Sequence, residues 1–335
     1  MQEQEKEKAA NVKLMPPGTW ASYVGAAASV LMSRKVKCDN ADVAGMSGYA
    51  FLVNVHPGLC PSGPTAFDWE MLVEGTAALG IGVQLFTTPR RPEDDARLAA
   101  ELFERVRAEV DAGRCCVVWG AAGTPEFAVA YGYKGDSYLV RSYRTCRKGC
   151  TKPVGPTEML EDPVPFDKLE SPGCFGLFLF EEAVKTDGER ADRNAVTRAA
   201  WLLRDRHPCL DPSYSHGARA FRAWADALEK SSADVDPFGN AYNVKVYQEL
   251  QEFGGEFCKR LAKRRKSAGK HLDEAGVALT ESAKNLGEVG GLFQFPEGKG
   301  LGEPARTRKA AWLLRECAEL NSTAASALEL ALGMM

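Results

Sequence analysis

Histidine is scarce, at 4 residues in a chain of 335. His56, His207, His216 and His271 share no metal-ligand spacing, so no metal site is expected from them. Neither a G-x-G-x-x-G string nor a Walker A string occurs, which argues against dinucleotide and nucleotide chemistry, and no cofactor is expected. No stretch of about 18 uncharged apolar residues is present, so no membrane-spanning helix is expected. Neither sign of charge dominates: 42 Lys and Arg against 45 Asp and Glu leave −3. Without a basic field, nucleic acid is not an expected partner. The opening residues MQEQEKEKAANVK are charged rather than apolar, so no signal peptide is expected. The ten cysteines are scattered, and the adjacent pair Cys115-Cys116 bonds internally only with strain. Reduced thiols in a cytoplasmic protein are the expectation.

What is present is ordinary globular composition, 45% hydrophobic and 26% charged. The length exceeds what one core usually holds, so two domains are expected. Residues 1–17 read as a flexible tail, 18–185 as an α+β domain and 186–335 as a helical bundle. In the first half, Tyr23 to Arg34 is a small-residue helix with Ser22 as its cap. Phe67 to Leu79 and Pro92 to Ala112 are two further helices, the second with Leu98, Leu102, Val106 and Val110 on one stripe. Ile81–Thr87, Cys115–Trp119, Phe127–Tyr133, Tyr138–Tyr143 and Cys174–Phe180 read as strands. Helices first and an antiparallel sheet later give the α+β class. From residue 186 the pattern is helical. Asn194–Arg206 is one helix, and Asp211-Pro212 opens another carrying Phe221, Trp224 and Leu228.

Ala199-Ala200-Trp201-Leu202-Leu203-Arg204 recurs unbroken as Ala310-Ala311-Trp312-Leu313-Leu314-Arg315. Either two good helices converged, or two helices pack equivalently in one bundle. Lys259, Arg260, Lys263, Arg264, Arg265 and Lys266 form a basic patch. A solvated helix face is its usual meaning; without interleaved aromatics it does not read as a nucleic-acid surface. Cys146 and Cys150 have the spacing of half a zinc site, with no second half.

Three strings carry a resemblance. Trp20-Ala21-Ser22-Tyr23 precedes a small-residue helix. Pro125 to Tyr133, with its hairpin partner Tyr138 to Arg144, follows. Asp42 to Phe51 contains a stretch of the form GxSGxxF. The order resembles the papain-like fold of bacterial cysteine peptidases that process double-glycine leader peptides. It is also similar to the N-terminal domain of butirosin-type aminoglycoside acyltransferases and the helical portion that follows it. The resemblance implies a nucleophilic cysteine at the first helix's N-terminus, where the helix end stabilises a thiolate. It also implies a histidine opening the next strand and an acidic or amide partner beyond it. Carried over, the cysteine position holds Val24, the histidine position Glu126, and the orienting position Arg141 or Ser142. The glutamine expected near Gly18 is absent. Valine cannot attack a carbonyl, and a carboxylate with an ordinary pKa makes a poor neutral-pH proton shuttle. The implied triad is therefore lost, and Glu126 with Arg141 would form a static ion pair.

Trp20, Tyr23, Trp69, Trp119 and Tyr143 would converge on the former catalytic cleft in such a fold. With Val24, Glu126 and Arg141 they make the expected ligand-binding cleft, suited to an apolar or acyl-bearing ligand. The leading expectation is binding of a small molecule or peptide without turnover. An alternative is an acyl or amide transferase or hydrolase with a relocated nucleophile. Ser22 is one such candidate, read first as a capping hydroxyl. Cys60 is the other, in a proline-rich loop four residues after a potential activator, His56. A third reading is an oligomeric interaction scaffold whose helical half is the interaction surface; in the leading reading that half covers the cleft or mediates a homodimer.

Overall fold

The computed structural model describes residues 7–11, 19–143, 159–160, 163–230 and 234–335. The first elements are β1 (Glu7–Ala9), α1 (Ser22–Ser33), α2 (Asn40–Ser47), β2 (Asn54–Val55), α3 (Glu70–Ala77), β3 (Ile81–Pro89) and α4 (Asp95–Asp111). Then come β4 (Cys116–Trp119), β5 (Phe127–Lys134), β6 (Ser137–Tyr143), β7 (Met159–Leu160), β8 (Val164–Pro165) and β9 (Cys174–Ala183). The rest is α5 (Gly188–Leu203), β10 (Ser215–His216), α6 (Gly217–Lys230), α7 (Pro237–Arg264), α8 (Gly269–Leu292) and α9 (Pro304–Leu332). The order is the expected one, an α+β domain and then a helical bundle. No helix among the described residues is long and apolar enough to cross a membrane. Two compact units emerge: residues 1–43 with 79–185, and residues 44–78 with 186–335. A single cut after residue 185 would leave 44–78 with the sheet, whereas this segment packs with the helices.

In the sheet unit the strand order is β3-β9-β4-β5-β6, with β1 on β5 and both β7 and β8 on β6. Every pairing is antiparallel. Leu85, Phe178, Val117, Val129 and Arg141 lie in one row across five strands and share a face. α1 covers that face, with the Tyr23 ring 4.8 Å from Phe178 and 5.5 Å from Phe127. One residue along, Cys116, Ala130 and Val140 face the other way. There Leu102, Phe103, Val106 and Val110 of α4 complete the core. A sheet covered on both faces explains why the strands read as continuous apolar runs. α1 is buried from Tyr23 through Leu31, which suits its alanines.

In the helical unit α7 packs on α8, α8 on α9, and α9 on α5 and α6. α5 starts six residues earlier than its apolar pattern suggests, because the Asp187 carboxylate accepts from the N–H groups of Glu189 and Arg190. The expected cap at Asp211 is corrected. Its Oδ1 closes a turn with Ser213, β10 intervenes to pair with β2, and α6 begins only at Gly217. The two copies of the hexapeptide lie on α5 and α9 with matching burial: alanines and leucines inside, Trp201 and Trp312 exposed. Arg204 pairs with Glu329 of α9, and Arg315 with Asp226 and Glu229 of α6. The repeat therefore marks equivalent packing.

The GxSGxxF stretch is packing chemistry. A Cβ on Gly45 would lie 2.1 Å from Cγ of Phe257, so only glycine lets α2 approach α7 this closely. Phe51 meets the same ring at 6.3 Å.

Candidate functional site

The loop from β4 to β5 sets the position of Glu126. Gly120 N–H donates to the Glu126 carbonyl at 2.9 Å, and Glu126 N–H donates to the Thr124 carbonyl at 2.7 Å. Gly120 sits at φ +80°, where a Cβ would press on the Glu170 carbonyl at 2.7–2.8 Å. The loop therefore delivers Glu126, 4% exposed, to the tip of α1. There the Ser22 hydroxyl donates to Glu126 Oε2 at 2.5 Å, and Phe127 N–H donates to Ser22 Oγ at 3.1 Å.

Ser22 is thus not the helix cap. Ala21 holds that position, no side chain caps the helix, and the hydroxyl bonds to Glu126 and Phe127 instead. A buried carboxylate needs donors more than a helix end needs one acceptor. The serine is half-buried, with its proton on a carboxylate and one lone pair on an amide.

Tyr23 and Val24 are fully buried in the core, and Trp119 is 3% exposed with its ring 4.8 Å from Phe127. Trp20, Tyr131 and Arg141 are half-buried. The Arg141 guanidinium lies 5.7 Å from the Tyr131 ring centroid, and Arg141 pairs with Val129 across β5 and β6. Ser142 is buried, its hydroxyl 3.5 Å from the Phe127 carbonyl. Burial pushes the Cys115 thiol up to about 12, against the opposing pull of Arg141 and Arg34. The Tyr143 side chain, and Cys146 with Cys150, lie outside the described residues. No histidine belongs to this unit; all four fall in the helical one, as does Trp69.

Cys60 and His56 also lie in the helical unit. His56 Nδ1 accepts from Gly58 N–H at 3.1 Å, and its ring meets Tyr214 edge-on at 5.6 Å. No hydrogen bond joins it to Cys60 among the described residues. The thiol instead accepts from Ser62 Oγ at 3.0 Å, and Ser62 bonds Tyr214 Oη at 2.9 Å. Sequence reasoning missed both partners; Tyr214 is 152 positions from Ser62, and no local pattern signals the contact. The eight described cysteines are all free thiols. Burial pushes those of Cys209, Cys258 and Cys317 up to about 12. Among the described residues, no group of three or more His, Cys, Asp or Glu could hold a metal ion.

The chain matches no protein-family model and no curated protein.

Proposed function

We propose that the sheet unit is a papain-like fold whose catalytic position has become a structural clasp, and that the protein binds a small molecule or peptide without turnover. The Ser22–Glu126 hydrogen bond carries this reading. It occupies the junction of first helix and strand where the resemblance implies a thiol and an imidazole. The Ser22 hydroxyl proton is directed at the Glu126 carboxylate, and no histidine lies in the sheet unit to act as the proton shuttle that the resemblance implies. Val24, at the implied cysteine position, is core. Half-buried Tyr131 and Arg141, with the guanidinium 5.7 Å from the ring centroid, and half-buried Trp20 are what a ligand could touch.

The test is intact-mass analysis after exposure to a fluorophosphonate and to an acyl thioester, beside a thermal-shift screen of small molecules and peptides. The expected outcome is no adduct on Ser22 and a ligand that raises the melting temperature without being consumed. An adduct on Ser22 that disappears in Glu126→Gln would overturn the reading and assign a hydrolase or transferase.

A second reading, acyl or amide transfer through Cys60, is favoured by the donor chain from Tyr214 through Ser62 to the sulfur. Iodoacetamide mapping tests it. Fastest labelling at Cys60, slowed by Ser62→Ala and unchanged by His56→Ala, would support this reading. Uniform labelling of the accessible thiols would remove it.

A further inference from the structure

His216, 3% exposed, sits on β10 opposite Asn54 of β2. Its Nδ1 lies 2.7 Å from Asn54 Oδ1, and its Nε2 lies 2.6 Å from the Asp211 carbonyl oxygen. The Asn54 amide has one orientation. Its Nδ2 donates to the Ala66 carbonyl at 3.1 Å, and the reversed amide would set oxygen against oxygen there. The Asn54 backbone is pinned as well. Its N–H donates to Tyr247 Oη at 3.0 Å, and the Tyr247 hydroxyl donates to the Asn54 carbonyl. The Asp211 carbonyl also accepts from Tyr214 N–H at 3.1 Å. Both oxygens that face the imidazole can therefore only accept.

A neutral imidazole carries one N–H. In either tautomer one of the two short contacts would set a lone pair against a lone pair. The doubly protonated ring donates at both, and hydrogen bonds from a cation are roughly twice as strong as neutral ones. Burial works the other way: it is the largest influence on the His216 pKa and lowers it, as does the Arg219 charge of α6. The Asp211 carbonyl and the Asp205 and Asp211 carboxylates raise it. Arg219 is itself paired with Asp205, which offsets its charge. α7 contributes the Tyr247 phenol, which burial keeps uncharged, and β2 contributes the neutral Asn54. Against the burial cost stands an acceptor left facing a lone pair, a mismatch that only the second proton removes. The same segment touches residues 53–68 elsewhere. Gly217 N–H donates to the Val53 carbonyl at 2.9 Å, and Asp68 N–H donates to the Cys209 carbonyl at 2.8 Å. Ser62 Oγ bonds Tyr214 Oη at 2.9 Å.

We propose that His216 is a buried imidazolium at neutral pH that latches residues 209–217 onto residues 53–68, and that loss of its proton opens the latch. The sign follows from linkage. A proton held more tightly in the latched state than at the ordinary value of about 6.5 stabilises the latch fully below that pH. The stabilisation is lost as pH rises through the midpoint of the folded protein. The test is ¹⁵N NMR of the full chain. Both ring nitrogens of His216 should be protonated at pH 7, with a titration midpoint above 6.5. Amide exchange of Gly217 and Asp68, corrected for its intrinsic pH dependence, should lose protection as pH passes that midpoint. In His216→Gln the protection at both amides should be lower and independent of pH. A ring with one protonated nitrogen at pH 7, or a midpoint below 6.5, would overturn the proposal. So would protection that does not change across the midpoint, or a pH dependence that persists in His216→Gln.

Discussion

Two carboxylates are buried to the same extent in the two units, and they are held differently. Glu126 in the sheet unit and Asp192 in the helical unit are each 4% exposed. Asp192 receives two guanidinium groups, whose charge offsets its own. Glu126 receives a neutral hydroxyl at 2.5 Å from the tip of a helix. Both arrangements satisfy a buried acceptor. The first joins the start of α5 to the end of α7 with paired charge, and the second joins the tip of α1 to the start of β5 through a hydroxyl. Equal burial with different partners sets up a comparison that truncation can measure.

Truncation separates the two. Asp192→Ala removes the carboxylate that Arg264 and Arg265 share, while Arg265 keeps Glu189 and the Gly188 carbonyl. Because Arg264 and Arg265 are 48% and 21% exposed and can turn to water, the loss should fall near the lower end of the usual range for a broken buried pair, about 3 kcal/mol. Urea unfolding measures it. Ser22→Ala removes one donor from a buried carboxylate and should cost about 1–3 kcal/mol. A double-mutant cycle of Ser22→Ala with Glu126→Gln isolates the shared part. A Ser22→Ala loss as large as that of Asp192→Ala would erase the distinction. A coupling of zero would mean that the hydroxyl does not hold Glu126.

How much of this was legible in the sequence follows from the range of each interaction. The five main strands show as apolar runs because both sheet faces are covered by α1 and α4. The stripe of Phe221, Trp224 and Leu228 shows because one face of α6 is buried. The start of α6 does not, because β10 forms only by pairing with Asn54 and Val55, about 160 residues earlier. The allegiance of residues 44–78 is equally hidden, since it rests on glycine contacts such as Gly45 against Phe257. At the site, Ser22 and Glu126 each stand out in the sequence, but their bond spans 104 positions. The hydroxyl's local meaning, a helix cap, lost to a tertiary partner. The early start of α5 was available locally, in Asp187 as an N-cap. A reading anchored on apolar spacing passes over it, because the first buried apolar residue is Ala195.

The smallest expected effect concerns protons. His207 Nδ1 accepts from Cys209 N–H at 3.2 Å, which requires that nitrogen to be unprotonated. Burial holds the His207 pKa below its ordinary value, helped by the Arg198 charge and opposed by Glu74 and Asp68. The unfolded chain, near 6.5, therefore binds the proton first as pH falls. The sign is fixed by that order. Above about 6.5 this group leaves stability flat. Below it, stability declines until pH passes the lowered folded value, where the loss levels off. NMR titration of the His207 ring should give a midpoint below 6.5, and His207→Gln should flatten part of the acid-side slope between pH 7 and 5. Native-state hydrogen exchange should place this loss in the helical unit, since the sheet unit contains no histidine. A midpoint above 6.5 would mean that the Cys209 bond is not what the imidazole keeps. An acid-side loss confined to the sheet unit would mean that a group other than His207 carries it.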